Sequence, residues 1–180
     1  MRVYVVLAAI MVTLVVLLTF QFVYQKYNIE QPLFKMYSQT KLVSDVKVEE
    51  NGSMINVILE VKKTENLRDT YRELTGYTEQ VVGSDNYKMT LTDKRTKALE
   101  EVYYESQFII YEAMAKGDYT RMADIIRQNA AKAGAEARVF IDHDYIYIQL
   151  TKDKDYLYEI VSRQEGFKGS AGNGIGSDQG

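Results

Sequence analysis

Residues Val3 to Val23, VYVVLAAIMVTLVVLLTFQFV, make a run of 21 residues without a charge. Its only polar groups are Thr13, Thr19, Gln21 and the hydroxyl of Tyr4. At 1.5 Å per residue, a helix of that length spans about 30 Å, the thickness of a bilayer's hydrocarbon core. The run has no polar face, so packing one side on a soluble core does not account for it. Tyr4 and Tyr24 stand at its two ends, where interfacial aromatics are expected, and Arg2 and Lys26 can reach the headgroups. Residues 1–25 therefore read as a transmembrane anchor, with Val3, Tyr4, Leu14, Leu18, Phe22 and Tyr24 meeting lipid or its interface. A cleaved signal peptide is the competing reading. Its apolar region would be about 7–15 residues, followed by a small-x-small site. This run is longer and ends in TFQFVYQKY, with no A-x-A.

Charge near the anchor bears on orientation. Lys26, Lys35 and Lys41 outnumber Arg2 and the chain amine, which favours the remaining chain on the cytoplasmic side. Against this, a short basic N-terminal flank usually stays inside, and long domains translocate largely regardless of charge. The expectation is a single-pass protein of the cell membrane, with its soluble part outside the cytoplasm.

The chain beyond the anchor carries 21 Lys and Arg against 25 Asp and Glu, with the signs interspersed. That argues against nucleic acid as a partner and against a polybasic membrane patch. The absence of cysteine removes disulfides, thiolate catalysis, iron–sulfur clusters and Cys-ligated zinc. A hydrophobic fraction of 46% and a charged fraction of 26% suit a packed domain rather than a disordered chain.

Residues 26–40 read as a juxtamembrane linker leading into a short helix near Pro32, with Leu33, Phe34 and Tyr37 facing the domain. Residues 41–165 read as one soluble α+β domain. Leu42–Glu49 alternates as a half-buried strand, Asn51-Gly52 is a hairpin turn, and Met54–Val61 returns. Thr64 is the expected N-cap of a helix ending near Gly83, with Leu67, Tyr71 and Leu74 inward. Tyr87–Thr92 is a third strand. Thr92 or Asp93 is the expected cap of a long helix over Lys94–Lys116, stopped by Gly117. Asp118 caps another helix, Tyr119–Ala133, and Gly134 ends it. A second hairpin joins Arg138–Ile141 to Tyr145–Leu150 through Asp142-His143-Asp144. Asp153 or Asp155 then opens a last helix, Tyr156–Gln164. Residues 166–180 hold 6 of the 11 glycines and read as a disordered tail. Helix–strand–turn–strand–helix thus occurs twice. The fold class is α+β with a mostly antiparallel sheet and helices on one face, built of two ββα-like units for which an internal duplication is one reading.

Each chemical candidate has a structural competitor. Asp142-His143-Asp144 could hold a metal, but neighbours on a strand point to opposite faces and Asp is a usual turn residue. Asp153-Lys154-Asp155 lacks the glycine and oxygen spacing of a calcium loop, and helix capping explains its carboxylates. Glu49, Glu50, Glu100, Glu101 and Glu105 are better read as solvated faces than as a hydrolytic pair. No nucleophile elbow or phosphate-binding loop is present. Neither an enzyme nor a cofactor is therefore expected. Tyr104, Phe108 and Tyr111 share one face of the long helix, spaced by four and three. Burial in the core competes there with a protein contact surface. The expected function is a membrane-anchored, non-enzymatic interaction or assembly domain, with the bilayer and a protein partner or second copy as partners. The alternative is a cytoplasm-facing accessory subunit or regulator of a larger complex.

Overall fold

The structure is a computed structural model and describes residues 2–25, 29–51, 54–84 and 87–163. The expected tail over 166–180, the turn residue Gly52 and the linker residues 26–28 lie outside the described residues. The architecture is α+β, with five helices and two three-stranded sheets among the described residues.

Helix α1 spans Arg2–Gln25. It is the one described helix long and apolar enough to cross a membrane, and none of Val3–Phe20 is buried within the chain. Thr13 Oγ1 donates to Ala9 O at 2.9 Å and Thr19 Oγ1 to Val15 O at 2.7 Å. Both hydroxyls are thus satisfied inside the helix, as a hydrocarbon environment requires. Some signal sequences near an N-terminus are also long and apolar enough to meet this description.

The remaining elements fall into two compact units, one holding residues 29–64 and 69–92, the other residues 65–68 and 93–163. In the first, α2 (Gln31–Thr40) has Pro32 in its first turn and a left-handed Lys41 at its end. Its Leu33 and Tyr37 are buried, as expected. Phe34, expected to face inward as well, is 48% exposed. Leu33 and Tyr37, four apart, already fill the buried stripe of this short helix, and Phe34 lies a hundred degrees round from Leu33.

Strands β1 (Val43–Asn51) and β2 (Met54–Val61) pair antiparallel from Asn51–Met54 to Val43–Val61, so Asn51, expected in the turn with Gly52, is instead the last residue of β1. The period-two pattern decides which face is buried: Val46, Val48, Val57, Leu59 and Val61 go inside, while Lys47 and Glu49 stay in water. Helix α3 runs Leu67–Val82 and ends at Gly83, whose φ of +89° suits glycine alone. The expected cap, Thr64, stands three residues before the helix start at Leu67, and its hydroxyl bonds that of Thr70 at 2.8 Å. Strand β3 (Tyr87–Thr92) pairs with β2 in parallel, from Ile55–Tyr87 to Glu60–Thr92. The expectation of hairpin-built, antiparallel pairing fails here because a helix intervenes, and a helical crossover brings the chain back in the same direction.

In the second unit, α4 (Lys97–Lys116) and α5 (Tyr119–Lys132) form a helical hairpin. Gly117 takes φ +77° and donates to Ala113 O at 2.7 Å. Asp118 caps α5 by accepting from the Arg121 amide at 3.3 Å, as its position in the sequence implies. Strands β4 (Glu136–Ile141), β5 (Tyr145–Lys152) and β6 (Asp155–Ser162) form an antiparallel meander. Leu99, Val102, Ile109, Ile110, Met122 and Ile126 of the helices pack with Ile146, Ile148, Leu150 and Leu157 of the sheet.

Three expectations are corrected in this unit. The last helix is instead strand β6. Tyr156, Tyr158, Ile160 and Val161 all favour the pleated surface, and β5 offers a continuous partner, with Lys152 opposite Asp155. Asp153 and Lys154 are thereby the two connecting residues, with Asp153 at φ +54°, and neither Asp153 nor Asp155 opens a helix. The second hairpin therefore continues into a strand, without the helix of a ββα unit. Helix α4 starts at Lys97, with extended Thr96 before it, because Asp93 is engaged elsewhere.

Candidate functional site

Helix α4 carries apolar residues on two opposite faces. Leu99, Val102, Ser106, Ile109, Ile110 and Ala113 are buried. About 180° round the helix, Tyr104 is 61%, Phe108 81% and Tyr111 49% exposed. The spacing of four and three that groups them in the sequence also groups them in space, on one stripe. Helix α4 must be apolar toward its own core. Nothing in folding the second unit requires a second apolar face. Carboxylates of Glu100, Glu101 and Glu105 share the exposed side. Glu112 accepts from Lys116 at 2.8 Å and Arg121 at 3.2 Å, which hold its carboxyl below the usual range.

The second constellation is one that sequence reasoning missed. The Asp93 side chain is fully buried. Its carboxylate accepts from Arg95 Nε at 2.9 Å, from Arg95 Nη2 at 2.8 Å and from the Tyr158 amide at 2.8 Å. Arg95 Nη1 then reaches Glu159 Oε1 at 3.1 Å. The Asp93 bond raises the Arg95 value, which fixes the guanidinium as a cation. Burial lifts the Glu159 carboxyl above its ordinary value against the pull of Arg95. Burial also raises the neighbouring Tyr103 hydroxyl, followed by the Glu159 charge. The group ties the chain ahead of α4 to β6, and Tyr156 N donates to Lys94 O at 3.0 Å beside it. A carboxylate that already accepts three hydrogen bonds is a structural clamp rather than a ready base. The only local signal was Asp93 two residues before Arg95; Glu159 is 64 residues from Arg95 and shares no pattern with it.

The Asp142-His143-Asp144 segment folds as a turn. Asp142 Oδ1 accepts from the amides of Asp144 and Tyr145, both at 2.9 Å, and Oδ2 accepts from the Tyr147 hydroxyl at 2.7 Å. His143 points into water, with Nδ1 3.0 Å from Asp144 Oδ1. Arg163, the residue after β6, pins the turn: its Nη1 donates to the carbonyls of Asp142 and His143, and its guanidinium lies 5.1 Å from the centre of the Tyr119 ring. Among the described residues no three of His, Cys, Asp and Glu cluster closely enough to hold a metal ion.

A shallow cleft of about 670 Å³ opens in the first unit between α2 and β1, lined by Glu30, Gln31, Pro32, Phe34, Lys35, Asp45 and Val46. A second hollow, of about 430 Å³, lies against β4 and is lined by Glu65, Asn66, Arg127 and Ala137–Phe140. Arg138 donates there to Glu65 O at 3.1 Å, and the Leu67 amide is satisfied by Gln149 Oε1 at 3.2 Å.

Comparison with known proteins gives no match, whether against family models, curated proteins or solved structures.

Proposed function

We propose that the chain is a single-pass membrane protein whose α+β part is a non-enzymatic interaction and assembly module, placed outside the cytoplasm and self-associating through α4. The observation that carries this reading is the exposed stripe of Tyr104, Phe108 and Tyr111, opposite a helix face that is already buried. Aromatic side chains give large contact area for little conformational entropy and are enriched at the centres of interfaces. The polar ends of the two tyrosines let the same surface remain wet in a free protomer. Anchoring α1 in a bilayer confines copies to two dimensions, which raises their effective concentration and lets a modest patch suffice.

The test exploits the absence of cysteine. A Phe108→Cys variant in membranes should form a disulfide-linked dimer under mild oxidation, and adding Tyr104→Asp and Tyr111→Asp should abolish it. A monomer in detergent at high concentration, together with no crosslink in membranes, sinks the self-association reading.

The lysines after the anchor, Lys26, Lys35 and Lys41, favour a second reading, a cytoplasm-facing accessory subunit or regulator. Protease protection of the α+β part in intact cells separates the two. Protection directs the search for partners to the cytosol, and digestion directs it to the cell envelope.

A further inference from the structure

We infer that the cleft between α2 and β1 is a binding site for the headgroup of a zwitterionic phospholipid; this rests on reading α1 as a membrane span. Five residue steps separate Gln25, the last residue of α1, from Glu30 at the cleft, and an extended chain covers at most about 18 Å in that number. The cleft is therefore held near the bilayer surface, where lipid is the most concentrated possible ligand.

The lining then selects the ligand. Val46, which is buried, Pro32 and the exposed Phe34 are the apolar lining residues. Folding α2 buries Leu33 and Tyr37 and leaves Phe34 outside, although an aromatic ring on a helix beside a membrane suits the headgroup boundary. Lys35 supplies a cation for a phosphate, and Glu30 and Asp45 supply anions for an ammonium. One cation with two carboxylates matches a headgroup that carries both signs and disfavours one that is only negative. A volume of about 670 Å³ lies within the range that accommodates small organic ligands.

The experiment uses the full chain with a single cysteine, Gln31→Cys, carrying an environment-sensitive fluorophore. It is reconstituted in nanodiscs of phosphatidylethanolamine or of phosphatidylglycerol, each doped at the same fraction with that same lipid carrying a nitroxide on the acyl chain next to its headgroup, so that quenching reports occupancy by that headgroup. Strong quenching in phosphatidylethanolamine, weaker quenching in phosphatidylglycerol, and loss of that preference in Lys35→Glu and Phe34→Ser variants are expected. Equal quenching in both lipids, insensitive to either substitution, overturns the site and leaves mere proximity. Stronger quenching in phosphatidylglycerol overturns it in favour of general attraction to an anionic surface. Alkaline carbonate extraction is done first: a chain released from membranes overturns the membrane reading itself and the site with it, whereas a chain retained isolates any later failure to the cleft.

Discussion

The two sheets solve different problems. In the first unit β2 buries one face only: Val57, Leu59 and Val61 are inside and alternate with residues nearer water. Its buried polar groups are neutral hydroxyls in pairs, Tyr37 with Thr78 and Thr64 with Thr70. In the second unit β5 is central and buried along Ile146–Leu150 on both faces, with Tyr147 and Gln149 inside alongside Ile146, Ile148 and Leu150. A strand closed in on both faces leaves no water for polar side chains, so each needs a partner within the protein. The β5 polar groups have them: Tyr147 donates to Asp142 Oδ2 and Gln149 accepts from the Leu67 amide, and beside β6 the same unit holds a guanidinium between two carboxylates. The lesson is that the first unit depends on apolar alternation and the second on polar groups that must be satisfied internally.

The sharpest way to break this contrast is Asp93→Ala. It strands Arg95 beside Glu159 alone and removes the acceptor of the Tyr158 amide. Removing one partner of a fully buried charged network costs about 3–5 kcal/mol; because Arg95 is 36% exposed and keeps Glu159, the expected cost is lower, about 2–3 kcal/mol. Urea unfolding should show that loss, and an Arg95→Ala, Asp93→Ala double variant should lose less than the two single variants summed. A cost under about 1 kcal/mol would mean that the network relaxes onto water, and the second unit would then be no more dependent on buried charge than the first.

The same contrast explains what could be read in advance. The alternation of Val46 and Val48 with Lys47 and Glu49 is local, so β1 and its buried face were legible. So were the stops at Gly83, Gly117 and Gly134, because the left-handed backbone at a helix end is adopted most readily by glycine, which has no Cβ. Strand β6 was not, since Tyr156-Leu157-Tyr158-Glu159-Ile160-Val161 presents apolar residues at both strand and helix spacing, and only its partner β5 decides. The parallel return of β3 depends on the crossover, which no residue of YKMTLT encodes. The spacing of Tyr104, Phe108 and Tyr111 was visible in the sequence. Their exposure was not, because α4 is apolar on two faces and sequence alone does not say which one the fold uses.

Tyr37→Phe is the corresponding probe in the first unit. Thr78 Oγ1 gives its proton to Leu74 O at 2.8 Å, so Tyr37 is the donor in the 2.5 Å contact between the two hydroxyls. Removing it leaves Thr78 still bonded, and the cost should be about 0.5–1.5 kcal/mol in urea unfolding. The variant should also change the alkaline limb. Burial pushes the Tyr37 hydroxyl up to about 12, against an ordinary value of 10.0, so the folded chain keeps a proton that the unfolded chain has lost. Stability therefore falls as pH rises from about 10 towards about 12, and the phenylalanine variant should lack that share of the fall. A cost matching that of Asp93→Ala would erase the distinction between the units.

A smaller effect on stability is expected of Phe108→Asp. The ring is 81% exposed, so thermal unfolding of the monomer in detergent should shift by no more than about 0.5 kcal/mol. Membrane crosslinking at a separate α4 position should nevertheless be lost. A large destabilisation would mean that the stripe serves folding, and the argument for assembly through it would fail.

Glu159→Gln tests the finest point of the comparison, whether the second unit gains or loses by holding its outer carboxylate charged. Burial raises the Glu159 value above the ordinary 4.5, and this outweighs the lowering by Arg95. The folded chain thus holds a proton where the unfolded chain has released it. That contribution to stability is complete below the ordinary value and is lost as pH rises through the folded one. Glutamine keeps an oxygen for Arg95 Nη1 and carries no charge, so it should lack this dependence. Urea midpoints measured across the acid range should show the variant gaining on the wild type as pH rises through that window. If the wild type gains instead, the Arg95 pairing outweighs burial, and the network stabilises the second unit by its charge as well as by its geometry.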